Sequence, residues 1–250
     1  MERTKIMMLK QNAKRLVSFF MTCVMSISMT SVALAHSDRS NFESHTFVTE
    51  EEIIADRIFY EEMEAHGRNI IETKSFARTP TTKKLNVPYL SQNDSRWAGT
   101  NMPCGHGTYG LSNGVYGIGC AMTCYAMIDR YKNGSQATPV TFATAYNKQY
   151  GDPCNQSGDN ARKILKVNKY SGTVSNQEAN LNFIVGAIDK GRPVLIQSSR
   201  YGSHYILAYG YYITSNGNVT VYIRDPESSK NTLLSSYYPS YNIRNFAAFG

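Results

Sequence analysis

The spacing of apolar residues along the chain changes several times, and each change predicts a different element. Residues 16–35 form an almost continuous apolar stretch. From 48 to 73, Ile53, Ile54, Ile58, Met63, Ile70 and Ile71 recur at roughly helical spacing behind Glu50, Glu51 and Glu52. Carboxylates suit the positive end of a helix dipole, so a helix is predicted here, with Gly67 weakening its centre. Residues 79–84 (Thr-Pro-Thr-Thr-Lys-Lys) read as a turn-forming, protease-accessible linker. Residues 85–90 make a short extended segment containing Pro88, and residues 91–119, rich in Gly, Asn and Pro, predict a long irregular loop. Residues 120–132 are apolar almost all round, which predicts a buried helix. Weaker helical patterns cover 140–150 and 160–166, and a further helix is predicted over 177–190, stopped by Gly191 with Pro193 just beyond. Strands are predicted at 194–198, 204–214 and 218–225. The last two are joined by Ser215-Asn216-Gly217, a strong hairpin signal. Helices first and an antiparallel sheet afterwards make an α+β class.

The ends refine this picture. Residues 1–15 carry five cations against one carboxylate, and the apolar stretch after them closes on Val32-Ala33-Leu34-Ala35. This is the pattern of a cleaved signal peptide over 1–35, so a secreted product, without stable membrane insertion once the leader is removed, is expected. Residues 36–84 then carry a net charge of −3 and residues 85–250 a net charge of +6. Three segments are therefore expected: the signal peptide, an acidic helical prosegment with its linker over 36–84, and one domain over 85–250. The charge contrast predicts that the prosegment docks on the domain, across its cleft. The domain's cations are spread thinly and form no basic stripe, so nucleic acid is not an expected partner.

The candidate chemistry lies in three separated places. Cys120 follows Gly117-Ile118-Gly119 and opens the buried helix, where unpaired backbone N–H groups favour a thiolate. His204 is the only histidine in the last 144 residues and starts a strand. Folding that strand back through the hairpin brings Asp225 beside it, allowing a bulge or a shift of a few residues. A thiol attacks a carbonyl carbon as thiolate, needs an imidazolium partner, and that imidazole needs a third group to orient it.

Six separated segments also carry a resemblance. They are Leu85-Asn86-Val87-Pro88-Tyr89-Leu90-Ser91-Gln92, Asp94-Ser95-Arg96-Trp97-Ala98, Gly119-Cys120 with Thr123, Gly191-Arg192-Pro193-Val194, Ser203-His204-Tyr205 and Arg224-Asp225-Pro226. In this order they are similar to papain-like cysteine peptidases of the branch around the double-glycine leader (bacteriocin-processing) peptidases, the soluble secreted members above all. The resemblance implies a papain-like fold and hydrolysis of peptide bonds through an acyl-thioester. It further implies Cys120 as nucleophile, His204 as general base, Asp225 as the group orienting it, and Gln92 in the oxyanion hole. The implied partner is a peptide or protein substrate. Ala121-Met122 depart from the residues that usually follow the family's Cys. No exporter or ATPase region follows, so double-glycine leaders are not the expected substrate. The same site could act as an amidase or transpeptidase, and the fold could also serve as a non-catalytic peptide- or cell-wall-binding module.

Cys104, Cys124 and Cys154 remain, an odd number beside the nucleophile. Cys104–Cys154 and Cys104–Cys124 disulfides are both permitted by sequence. A zinc site from Cys104, His106, Cys120 and Cys124 would need spacings unlike the strong zinc patterns. Neither a metal nor another cofactor is expected.

Overall fold

The computed structural model describes residues 50–77, 79–112, 117–172, 180–237 and 243–250. The signal-peptide reading, the first part of the prosegment and the start of the helix read from residue 177 lie outside them.

Glu50–Ala77 forms one long helix, α1. After it, Thr81–Lys84 forms β1, and an irregular stretch leads to α2, Cys120–Asn133. Helix α3, Pro139–Tyr150, starts with a reciprocal cap: Thr138 accepts from Thr141 N, while the Thr141 side chain accepts from Thr138 N. Helix α4, Gly158–Leu165, precedes β2, Lys169–Gly172. Helix α5, Leu181–Asp189, is capped by the Asn180 side chain on Phe183 N. Strands β3 (Val194–Ser198), β4 (His204–Ile213), β5 (Val219–Arg224) and β6 (Ile243–Phe249) complete the chain. The predicted helices and the three predicted strands agree with these bounds to within a few residues. Strands β2 and β6 were not expected.

All six strands join one antiparallel sheet, in the order β1-β4-β3-β6-β2 with β5 also on β4. Residues 207–208 of β4 pair with both β3 and β5, and residues 210–213 with both β1 and β5. β3 and β1 therefore follow one another along the same edge of β4. Residues three apart on a strand point to opposite faces. Phe249 packs against Tyr125 of α2 and Phe246 against Phe183 of α5, so the sheet carries helices on both faces.

Two expectations about residues 36–84 are corrected. The predicted linker is not free: Thr81–Lys84 pairs residue for residue with Ile213 through Gly210 of β4. The hydrogen-bonding edge that β3 leaves open on the second half of β4 takes up these residues, and their alternating burial matches a strand with one covered face. Nor does α1 lie across a cleft. It packs along α5 and β2, where Phe59 stacks on Tyr170, and Phe59 and Met63 are buried. Gly67 is the contact point rather than a weak centre. A Cβ there would run into the carbonyl oxygen of Asn182, and one on Gly186 into that of Met63, so two glycines let these helices cross at backbone contact. The polar contacts also reverse the expected signs. His66 Nε2 lies 2.8 Å from Asp189 Oδ2, and Lys83 Nζ lies 3.1 Å from Asp189 Oδ1, so a histidine and a lysine of the segment meet an acid of the domain. Segment charge does not choose the docking face; apolar burial does, because burying an aromatic ring outweighs an exposed ion pair.

Candidate active site

The sulfur of Cys120 sits at the first residue of α2, whose N-cap, Gly119, offers no side chain to the free N–H groups. The two preceding glycines have a steric purpose. A Cβ on Gly117 or Gly119 would collide with the Tyr109 carbonyl, and Gly119 N donates to that oxygen at 3.0 Å. Close packing of the loop before the helix, and not flexibility, is what these glycines supply. The irregular stretch is itself well tied: Trp97 Nε1 donates to Ser91 O at 2.9 Å and Leu111 N to Asn93 Oδ1 at 2.7 Å.

His204 opens β4 and Asp225 follows the last residue of β5. The β4–β5 ladder runs from Ile213 opposite Val219 to Leu207 opposite Arg224, with a bulge between Ala208 and Gly210. That bulge shifts the register by the extra residue needed to set Asp225 beside His204, and Asp225 Oδ1 lies 2.9 Å from His204 Nε2. Cys120 lines the same cavity as His204 and is near enough to act on the charge of the imidazole. Burial alone would lower the His204 pKa. The hydrogen bond to Asp225, together with the electrostatic influence of Asp225 and the nearby Cys120, outweighs burial and pushes it up to about 9. Burial would raise the Asp225 pKa, but His204, Tyr237 and Asn231 together hold it below its ordinary value.

Asp225 is held from several sides. Tyr237 Oη donates to its Oδ2 at 2.6 Å, Asn231 Nδ2 at 2.7 Å, and Glu227 N donates to Oδ1 at 2.9 Å. Arg200 Nη1 lies 3.6 Å from Oδ2 and donates to Tyr237 Oη at 3.2 Å, while its Nη2 lies 3.3 Å from Glu227 Oε2. A charge with 1 % of its residue surface exposed is tolerable only with such partners. Sequence reasoning missed Arg200, Asn231 and Tyr237. The two later residues follow the last strand then recognised, and no local pattern ties them to a strand end many residues earlier.

Gln92 is buried, anchored through its N–H to Pro226 O at 2.7 Å, and its Nε2 makes one long contact of 3.5 Å to Gly117 O. Its Oε1 is buried without a hydrogen-bond partner among the described residues, a condition that native structures rarely tolerate away from functional sites. Gln92, Cys120, Gln156, Tyr201, His204 and Glu227 all line one open cavity of about 640 Å³.

The remaining thiols separate cleanly. Cys104 and Cys154 form a disulfide with Cα atoms 6.0 Å apart, which decides between the two pairings left open by sequence. Closing a loop across a separation of 50 residues stabilises the fold by about 4 kcal/mol in the chain-entropy account. It also removes Cys104 as a thiolate ligand for the zinc alternative. Cys124 is fully buried, its Sγ 3.6 Å from Tyr205 O, and burial together with the nearby Cys120 and Asp225 charges pushes its pKa well above the usual thiol value. It is a neutral core thiol. Cys120, by contrast, lines the cavity together with His204.

A thiol and an imidazole lining one cavity, with a carboxylate on one ring nitrogen and an amide side chain beside them, can attack an acyl carbon and return a proton to the leaving group. Comparison with known families gives the same answer from a different direction: the Peptidase_C39-like family matches residues 84–249. No curated protein and no solved structure matches the chain. With its α+β, papain-like architecture and a family match over most of its length, the chain belongs to the Peptidase_C39-like family and is a cysteine peptidase.

Proposed function

We propose that this peptidase works outside the cytoplasm and cleaves peptide bonds through Cys120, His204, Asp225 and Gln92. The observation that carries the assignment is the His204–Asp225 contact beside a cavity that Cys120 and Gln92 also line. In acylation the Cys120 sulfur bonds to the carbonyl carbon. Gln92 Nε2 and the Cys120 N–H receive the developing oxyanion, at about 3–4 kcal/mol per donor. The C–N bond then breaks, His204 gives its proton to the departing amine, and the acyl-thioester is released by water that His204 deprotonates. Asp225 keeps the ring oriented throughout. The extracytoplasmic setting is supported by the signal-peptide pattern of residues 1–35 and by the Cys104–Cys154 disulfide, since structural disulfides persist in oxidising compartments. Among the described residues no helix is long and apolar enough to cross a membrane.

A thiol-reactive peptide electrophile, with the modified residue mapped by mass spectrometry, tests the nucleophile. Labelling should fall on Cys120; labelling of Cys124 instead, or of neither, defeats the assignment.

The pH dependence follows from the His204 shift. Its pKa is raised, so the imidazolium and its hydrogen bonds are fully present below the ordinary value of 6.5 and are lost as pH rises through about 9. The kcat/KM profile should therefore fall with an alkaline limb near pH 9, as the imidazolium is lost. A rate that stays flat to pH 10 is incompatible with the ion pair. Full activity in the presence of a chelator is also expected. Loss that added zinc restores would bring back a metal-dependent reading.

A further inference from the structure

Between β3 and β4 the chain makes a short helical turn, Arg200–Gly202, that the reaction as described does not use. Tyr201 at its centre has φ 53° and ψ 31°, left-handed backbone that a bulky residue adopts only where its surroundings enforce it. Gly202, with φ 82°, follows in the same region. This costly turn places a large aromatic side chain in the open: Tyr201 is 55 % exposed and lines the cavity. Its ring stands edge-on to the His204 imidazole, centroids 6.3 Å apart, and its hydroxyl accepts from Arg200 Nη2 at 2.8 Å. The guanidinium also lies over the Tyr201 ring, 4.6 Å from its centroid. Arg200 thus fixes the ring from behind while its other nitrogen is engaged with Tyr237 and Asp225.

The position of the ring relative to the chemistry states what it touches. In acylation the proton on His204 passes to the nitrogen of the bond being broken, so the leaving half of the substrate departs on the His204 side. The first side chain of that half lies next to whatever stands beside the imidazole. We propose that Tyr201 forms the subsite for the first residue on the leaving-amine side, and that this subsite takes an apolar or aromatic side chain laid against the phenol ring. The proposal rests on the peptidase mechanism above and adds its specificity. A rigid, exposed aromatic offers contact area at little cost in side-chain entropy and favours flat or apolar partners.

The test is a peptide library digested by the purified protein, with newly formed amino termini read by mass spectrometry. These termini are the residues that occupied the subsite. The wild-type chain should enrich Phe, Tyr, Leu and Met over Gly and Asp there, by about tenfold, the discrimination one apolar contact supplies. Tyr201→Ala should flatten the profile and Tyr201→Phe should preserve it. Tyr201→Gly suits the backbone better and should flatten it as well, with an unchanged melting temperature, which guards against a folding defect in the alanine variant. Cys120 labelling by a small electrophile, which does not reach the subsite, should be equal in all four proteins. An amino-terminal profile that is the same in wild type and Tyr201→Gly overturns the subsite and leaves the peptidase intact. Normal Cys120 labelling with no new termini from any library overturns the peptidase mechanism, and the subsite with it.

Discussion

Replacing Cys120 with Ala or Ser should lower peptide cleavage by at least about 10⁴-fold while leaving the melting temperature unchanged. The sulfur makes and breaks the bond to the acyl carbon, and a serine hydroxyl beside an imidazole arranged for a thiolate is a poor substitute. The side chain faces the cavity and replaces little core packing. Cys124→Ala provides the contrast. That thiol lies one helical turn deeper, fully buried, with its pKa pushed well up by burial. Its loss should cost about 1 kcal/mol of stability and leave activity near wild type. A folded, inactive Cys124→Ala together with an active Cys120→Ala would move the nucleophile by one turn and would break the reading of His204 with it.

The second large effect is expected far from the chemistry. Gly67→Leu should destabilise the protein by about 3 kcal/mol, because the new side chain meets the backbone of Asn182 and cannot be relieved by a rotamer change. For a chain of this length that corresponds to a fall in melting temperature of roughly 6–12 °C. Activity per folded molecule at low temperature should be retained, since α1 packs on α5 and β2 and supplies no residue of the cavity lining. Truncation to Leu85 should likewise destabilise rather than activate, for it strips the cover from Phe183 and Tyr170 and the β1 edge from β4. Unchanged melting of Gly67→Leu, or a truncated protein that is both stable and more active, would return residues 50–84 to the role of a removable arm.

The parts of the fold that sequence made legible were those with local signals. Helix α2 is buried over Cys120 to Ile128, and the Asn216-Gly217 turn forces a hairpin; Gly217 indeed has φ 81°. The proximity of Cys120, His204 and Asp225 followed from that hairpin and from the resemblance. What stayed hidden is non-local. Thr81–Lys84 is polar and short, and it becomes a strand only because β4 offers an open edge. Phe246 lies on β6, which pairs with β3, and Tyr170 on β2, which pairs in turn with β6, so neither strand has a local signal of its own. Gly67 reads as a helix weakness until the opposing Gly186 is known. The residues around Asp225 were missed for the same reason: Tyr237, Asn231 and Arg200 come from three separate turns, converging only after the sheet is assembled.

The Cys104–Cys154 bond has a consequence for how this enzyme can be made and kept. Cys120 and Cys124 lie inside the loop that the bond closes, and Cys154 itself borders the cavity. The surroundings must therefore oxidise one pair of sulfurs and spare another in the same chain, only a few side chains away. Burial protects Cys124. Cys120 is less sheltered: it is 8 % exposed and lines the cavity opening, where a small oxidant such as peroxide reaches it. A reductant strong enough to regenerate a sulfenic acid at Cys120 also puts the bond bordering the cavity at risk, so handling conditions have a lower as well as an upper limit of oxidising power.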